Sequence, residues 1–284
     1  MAADQPDDRG GLADAYRSRA TAEAWQRGVA ARTGMLGPVT QRMMDLAGVG
    51  PVQHVLDIAA GTGEQTIMAA NRVGADGYVL AVDISPEMLA VAAEQARGAG
   101  LANVETLAQD AQALDLEPES FNAAICRSGL MLMADPVSAL VGIRRALRPG
   151  SSLAVLVFGA AEQNPLQWLP TSIARRMAGL SPLSSSEPGM FALGTPGTLD
   201  DVFRRGGFQG VFIESHATTR RFPSASDAVR SLKDTLPSVH AILRRVDEAE
   251  RDRAWAEIER ALRDLERPDG LTVHGEFLIG VGKR

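Results

Sequence analysis

"VLDIAAGTGEQTIMAA", Val55 to Ala70, decides the fold. An apolar run ends at Ile58, five small residues follow (Ala59-Ala60-Gly61-Thr62-Gly63), and "EQTIMAANRV" resumes with a helical pattern. A strand, a small-residue loop and a helix in direct succession open a strand–helix–strand unit, and small residues let a ligand approach the backbone closely. The loop lacks the G-x-G-x-x-G spacing of dinucleotide sites. It reads A-A-G-T-G-E and places Glu64 in the first helical turn, where a carboxylate repels a pyrophosphate but not a cationic group.

Outward from this stretch, β-like runs alternate with helical ones. The spacing predicts strands over 52–59, 77–84, 103–110, 121–128 and 151–159, with helices over 64–73, from Pro86 to about Gly98, and over 135–150, the last stopped by Pro149-Gly150. Ser85 suits an N-cap and Pro86 the first helical position. Such alternation implies an α/β fold built on a doubly wound, Rossmann-like, mainly parallel sheet. Further strands are expected over 210–222 and 271–284, making seven, and further helices over 164–179 (broken by Pro170), 198–208, 224–236 and 239–266. No internal repeat or long linker divides the 284 residues. One domain is expected: an N-terminal helical cap (1–45), a ligand-binding core (46–159), a mobile lid segment (160–196), a core helix and strand (197–221), inserted lid helices (222–268) and a closing strand (269–284).

Composition narrows the function. A net charge of −6 argues against nucleic acid as partner, because phosphate binding needs a basic face. One cysteine, Cys126, excludes an intrachain disulfide and any cysteine-rich metal site, and its apolar setting reads as a buried, inert thiol. No metal site is expected. No apolar stretch is long enough for a membrane span, and "MAADQPDDRGG" lacks the order of a signal peptide, so a cytoplasmic protein, monomer or homodimer, is expected.

Acidic residues end three successive strands. Asp57 closes the first; Asp83, 20 residues after Gly63, closes the second, where a carboxylate can accept from both hydroxyls of a ribose; Asp110 closes the third, within reach of an adenine amino group. Ile84 and Met88 offer apolar surface beside such a ring. Three acids beside a glycine loop without phosphate chemistry describe a site for a nucleoside carrying positive charge, of which S-adenosylmethionine is the obvious member.

The segments "VLDIAAGTG", "AVDISPEML", "AQDAQAL", "FNAAICRSGLMLMADP" and "LRPGSSLAVLVF", in this order, resemble the class I S-adenosylmethionine-dependent methyltransferases, and within them the group similar to ubiquinone/menaquinone-biosynthesis methyltransferases (methyltransferase type 11). The resemblance covers roughly 52–158, with a looser likeness over 197–211; Ala59 stands where the family usually has its first loop glycine. It implies S-adenosylmethionine as cofactor and S-adenosylhomocysteine as product. Asp57 and the backbone of Ala59, Gly61, Thr62 and Gly63 would hold the methionine portion, and Gln65 is also expected to bind the cofactor. Asp83 would bind the ribose, and Ile84, Met88, Asp110 and Ala111 would surround the adenine. Arg127 and Ser128 would line the inner side.

Methyl transfer needs alignment and exclusion of water rather than a triad or a metal. The expected acceptor is a small, largely apolar or aromatic molecule, quinone-like or a secondary metabolite, methylated on O or C. Tyr16, Trp25, Met131, Trp168 and Phe191 are the candidate pocket residues, and His240 is the histidine best placed for a general base. The prolinyl-aromatic motif of DNA methyltransferases is absent from "CRSGLM". Two other readings stand beside this one: an NAD(P)-dependent oxidoreductase on a similar sheet, and a catalytically idle nucleoside-binding protein.

Overall fold

The central apolar runs become parallel strands because helices cover both faces of the sheet there, whereas the edge run 104–108 stays largely exposed. The computed structural model describes residues 29–184 and 187–284. The parallel strands are β1 (His54–Ile58), β2 (Tyr78–Asp83), β3 (Val104–Ala108), β4 (Phe121–Arg127) and β5 (Leu147–Phe158). Two long antiparallel strands, β6 (Gln209–Phe222) and β7 (Leu271–Lys283), complete a sheet of order β3-β2-β1-β4-β5-β7-β6. Helices α1 (Val29–Leu46), α2 (Glu64–Val73), α3 (Pro86–Gly98), α4 (Pro136–Ala146) and α6 (Thr198–Arg205) flank the sheet, with α5 (Pro165–Met177) between the last two. After β6 come α7 (Ala225–Thr235), α8 (Pro237–Leu243) and α9 (Glu248–Arg263).

Strand order reverses between β1 and β4, the switch point where an open α/β sheet receives its ligand. Registers Ile58↔Val82 and Ile58↔Cys126 bring the carboxyl ends of β1, β2 and β4 level there. The main core, including Leu56, Ile58, Ile125, Leu140, Leu153 and Phe203, lies on both faces of the sheet.

Strand β7 pairs with β5 only as far as Phe158↔Phe277, yet with β6 it continues to Phe222↔Leu271. Residues 217–222 and 271–276 therefore stand past the carboxyl end of β5 as a two-stranded ribbon, on the ligand side of the sheet. Helices α5, α7, α8 and α9 pack around this ribbon on a second buried cluster that includes Ile173, Leu232, Trp255, Ile258, Leu262 and Leu271.

Three boundaries differ from expectation, each for a local reason. Helix α4 ends at Ala146, because the residue before Pro149 is pushed out of the helical region, and β5 begins at Leu147. Pro170 does not break α5; it lies inside the helix, where the Thr171 Oγ1 donates to the Gln167 carbonyl (2.8 Å) in the turn that the proline disturbs. The stretch 239–266 is two helices, not one, since Asp247 accepts from the Glu250 N–H (2.8 Å) and starts α9 afresh.

Candidate cofactor and acceptor site

The loop after β1 turns by left-handed backbone. Gly61 (φ 56°) and Gly63 (φ 89°) adopt it, and so does Ala59 (φ 54°). At Gly63 a side chain is excluded twice, because a Cβ would also meet Ala92 Cβ at 2.8 Å and Ala92 Cα at 2.9 Å. This close approach seats α3 against the start of α2. Ala59 is accommodated because Gly129, after β4, leaves space above it: a Cβ on Gly129 would lie 2.2 Å from Ala59 Cβ.

Asp57 is wholly buried, and both of its oxygens point to α2: Gln65 Nε2 donates to Oδ1, and Thr66 Oγ1 to Oδ2 at 2.6 Å. Burial pushes its pKa up to about 7, against the pull of Thr66, Gln65 and Arg127. Asp57 therefore fastens the first turn of α2 to β1, and the direct methionine contact expected for it would need one of these engaged oxygens to accept a further donor. Thr62 and Gln65 are buried in the same layer. Thr66 was not foreseen from sequence; the signal for it is a hydroxyl on the helix turn that follows a strand-ending acid.

Asp83 lies at the end of β2, partly exposed. Its Oδ2 accepts from the Gly61 N–H (2.8 Å) and its Oδ1 from the Ser85 N–H (2.9 Å). The carboxylate thus ties the glycine loop to the start of α3, and each oxygen keeps a lone pair for a further donor. Burial raises its pKa, offset by these backbone donors. Ser85 caps α3 as expected, accepting from the Met88 N–H (3.2 Å); Met88 is buried and Ile84 partly so.

Asp110 sits beyond β3, where it caps a short 3-10 turn (Ala111–Ala113) and accepts from the Gln112 N–H (2.9 Å) and Nε2 (3.1 Å). Ala111 is buried in that turn. Beside it, Gln109 donates its N–H to the Asp83 carbonyl (3.0 Å), and its side-chain Oε1 is buried with no hydrogen-bond partner among the described residues. An orphaned acceptor at the end of β3 was not anticipated from sequence.

Glu64 is not an isolated charge. Arg127, ending β4, donates Nη2 to Glu64 Oε2 at 2.9 Å, with both side chains nearly buried, and Nη1 to Thr40 Oγ1 of α1 at 3.2 Å. The repulsion of anions expected from Glu64 is therefore largely balanced inside the protein. Ser128 follows in left-handed backbone (φ 58°) and donates its N–H to the Leu156 carbonyl (2.8 Å). Cys126 is fully buried and its thiol pKa is pushed up to about 12 by burial, an inert thiol.

The acceptor candidates separate. Tyr16 and Trp25 lie outside the described residues, as does most of the expected N-terminal cap. Met131 and Phe191 are core residues rather than open walls: Gly189 donates its N–H to the Met131 carbonyl (3.0 Å), and the Phe191 ring packs edge-on against Phe158 (6.1 Å). Part of the lid segment is thus docked at the ends of β4 and β5. Trp168 is 37% exposed on α5. His240 donates Nε2–H to the Lys233 carbonyl (2.7 Å) and lies against Trp255 (ring centroids 5.3 Å), so the structure gives it a place inside the helical cap and does not bring it together with the loop residues. Among the described residues no cluster of histidine, cysteine and carboxylate side chains is arranged to hold a metal ion, and no helix is long and apolar enough to cross a membrane.

Residues 51–180 match the family model of a methyltransferase domain. A ubiquinone/menaquinone biosynthesis C-methyltransferase of Teredinibacter turnerae is 37% identical over 125 residues, 44% of this chain and 50% of that protein. The chain thus spans about half the length of the curated relatives it matches. Among solved structures, a methyltransferase-like protein of Bacillus halodurans superposes with a TM-score of 0.57 at 18% identity, over 86% of this chain and 97% of that one. Phosphoethanolamine N-methyltransferase 2 of Haemonchus contortus, solved with S-adenosylmethionine, does so at 0.59 and 17% identity, over 99% of this chain and 60% of that one. These two likenesses show the fold; the sequence similarity to methyltransferases lies in the stretch that holds the loop. Over residues 51–180 this chain is similar to methyltransferase domains, on the fold that the solved methyltransferase structures share.

Proposed function

We propose that the protein moves a methyl group from S-adenosylmethionine to a small, largely apolar or aromatic molecule. The observation that carries this reading is the Asp83 carboxylate, held at the end of β2 by two backbone N–H groups with a lone pair left on each oxygen, beside a loop in left-handed backbone. Both hydroxyls of a ribose can donate to such a carboxylate. The orphaned Gln109 Oε1 fits the adenine amino group, and Asp110, committed to its turn, places Gln109 and Ala111 around the ring. The Gly61–Gly63 backbone would hold the methionine end, positioned from below by Asp57 through Gln65 and Thr66.

The sulfonium supplies a methyl group already activated for displacement, so what remains for this chain is to align the acceptor and exclude water. The docked segment around Phe191 and the cap around the ribbon serve both ends. The C-methyltransferase relatives support a carbon acceptor over oxygen. A nicotinamide-dependent oxidoreductase gains no support from a loop lacking the dinucleotide spacing.

Calorimetric titration tests the reading. S-adenosylmethionine and S-adenosylhomocysteine should bind at micromolar concentration, NAD(P) should give no heat, and Asp83→Ala should lose at least a hundredfold in cofactor affinity while melting cooperatively. A folded protein that binds neither sulfur compound, or an Asp83→Ala variant of undiminished affinity, overturns it.

A further inference from the structure

Past the end of β5, the ribbon does not close directly onto α1. A cleft of about 500 Å³ separates Gly34, Pro38 and Val39 of α1 from His216, Thr218 and Arg220 of β6. That volume is in the range of small-molecule sites. His216 and Arg220 are four residues apart on one strand, about 13 Å, enough for a ring with a short side chain.

The cleft is chemically lopsided. At its His216 end the charges are matched: Arg42 of α1 donates Nε and Nη2 to both oxygens of Glu214 (2.8 and 2.7 Å), and His216 Nε2 lies 2.6 Å from Glu214 Oε1. At the other end stands Arg220, half-buried. It donates Nη2 to Ser231 Oγ of α7 (3.0 Å) and lies with its guanidinium carbon 4.8 Å from the centroid of the Phe222 ring. No carboxylate among the described residues pairs with it. Burial alone shifts its pKa, downwards, with no acid counteracting it. A guanidinium carries five N–H donors in a planar fork, and a half-buried one without a counter-ion is set up for an anionic partner. Facing it, Pro38 and Val39 offer apolar surface.

The wall of the cleft is linked to the proposed cofactor site through α1. Thr40, next to Val39, accepts from Arg127 Nη1, and Arg127 is ion-paired to Glu64 at the start of α2. Resting on the methyltransferase reading above, we propose that this cleft receives the methyl acceptor, and that the acceptor is an organic carboxylate whose anionic group is bound by Arg220 while its apolar body lies along α1.

The test uses the full chain with S-adenosylhomocysteine present, and compares 3-phenylpropanoate with its neutral amide by ligand-observed NMR titration. The carboxylate should bind at least tenfold more tightly than the amide. Arg220→Gln should bring the two together, and Arg220→Lys, which keeps the charge, should retain a preference of at least threefold. Unchanged melting temperatures guard against loss of the cap, and S-adenosylhomocysteine affinity, read on the same samples, should be the same in all three proteins. Equal binding of acid and amide to the unmodified protein, binding of neither, or a preference that survives Arg220→Gln overturns the proposal. A carboxylate preference lost in Arg220→Gln in a protein that does not bind S-adenosylhomocysteine upholds the anion site and strikes the cofactor reading instead.

Discussion

At Ala59 the backbone adopts φ 54°, a conformation that costs an L-residue roughly 1–2 kcal/mol and glycine almost nothing. The loop keeps the alanine because Gly129 opposite it has no side chain. The two positions should therefore be coupled. Ala59→Gly alone is expected to stabilise the protein modestly, by about 0.5–1 kcal/mol, the relief of strain exceeding the added chain entropy. Gly129→Ala alone should cost about 2–3 kcal/mol, since its Cβ would overlap that of Ala59. In the double variant the nearest neighbour becomes Cys126 Sγ at 3.3 Å, and most of that cost should vanish. Urea denaturation of the four proteins measures the coupling, and additive effects would refute the packing argument. Asp57 gives a second prediction at this scale. Burial lifts its pKa from 3.8 to about 7, so between those values the folded state holds a proton that the unfolded state has lost. Stability contributed by this group is then full below pH 4 and falls as the pH rises to 7. Asp57→Asn cannot titrate. Its stability relative to the unmodified protein should grow by on the order of 4 kcal/mol from pH 4 to pH 8, at about 1.4 kcal/mol per pKa unit. A difference that stays constant with pH in urea midpoints counts against the assignment.

At the scale of elements, what could be read from the sequence was what local chemistry decides. All seven strands were legible from apolar runs bounded by turn residues, and α3 from Ser85 and Pro86, because these signals lie within a few residues of what they specify. Glycine and acid spacing marked the loop for the same reason. What failed to show was set by partners distant in sequence. The place of β7 between β5 and β6 depends on pairing across the sheet. Glu64 reads as an unopposed charge until Arg127, 63 residues on, is folded against it. Asp57 and Asp83 look alike as strand-ending acids, but register and helix packing bury the first under α2 and leave the second facing the loop mouth. The split at Asp247 is an exception: the Asp-to-Glu spacing of an N-cap was there to be read, and the continuing 3.6-residue apolar period masked it.

Over the whole molecule, two buried clusters share one pair of strands. The main core lies around the parallel sheet; the second lies around the ribbon, between α5, α7, α8 and α9, and Met190 packs against both. The proposed cofactor contacts lie at the ends of strands packed in the first, whereas Arg220 and its partner Ser231 belong to the cap. Binding and transfer should therefore be separable by weakening the cap alone. Trp255 is the lever: it is buried in the second cluster, against His240 and beneath the Lys233 ammonium, and reducing it to alanine should cost about 3–5 kcal/mol of local stability. In Trp255→Ala, amide exchange should quicken across 225–263, while β1, β2 and β4 keep their protection. S-adenosylhomocysteine affinity should stay within threefold, because none of its proposed contacts lies in the cap. Methyl transfer should fall at least a hundredfold, since an opened cap neither holds the acceptor nor keeps water away. Loss of cofactor affinity in step with cap protection would show instead that β6 and β7, shared by both clusters, bind them into one cooperative unit.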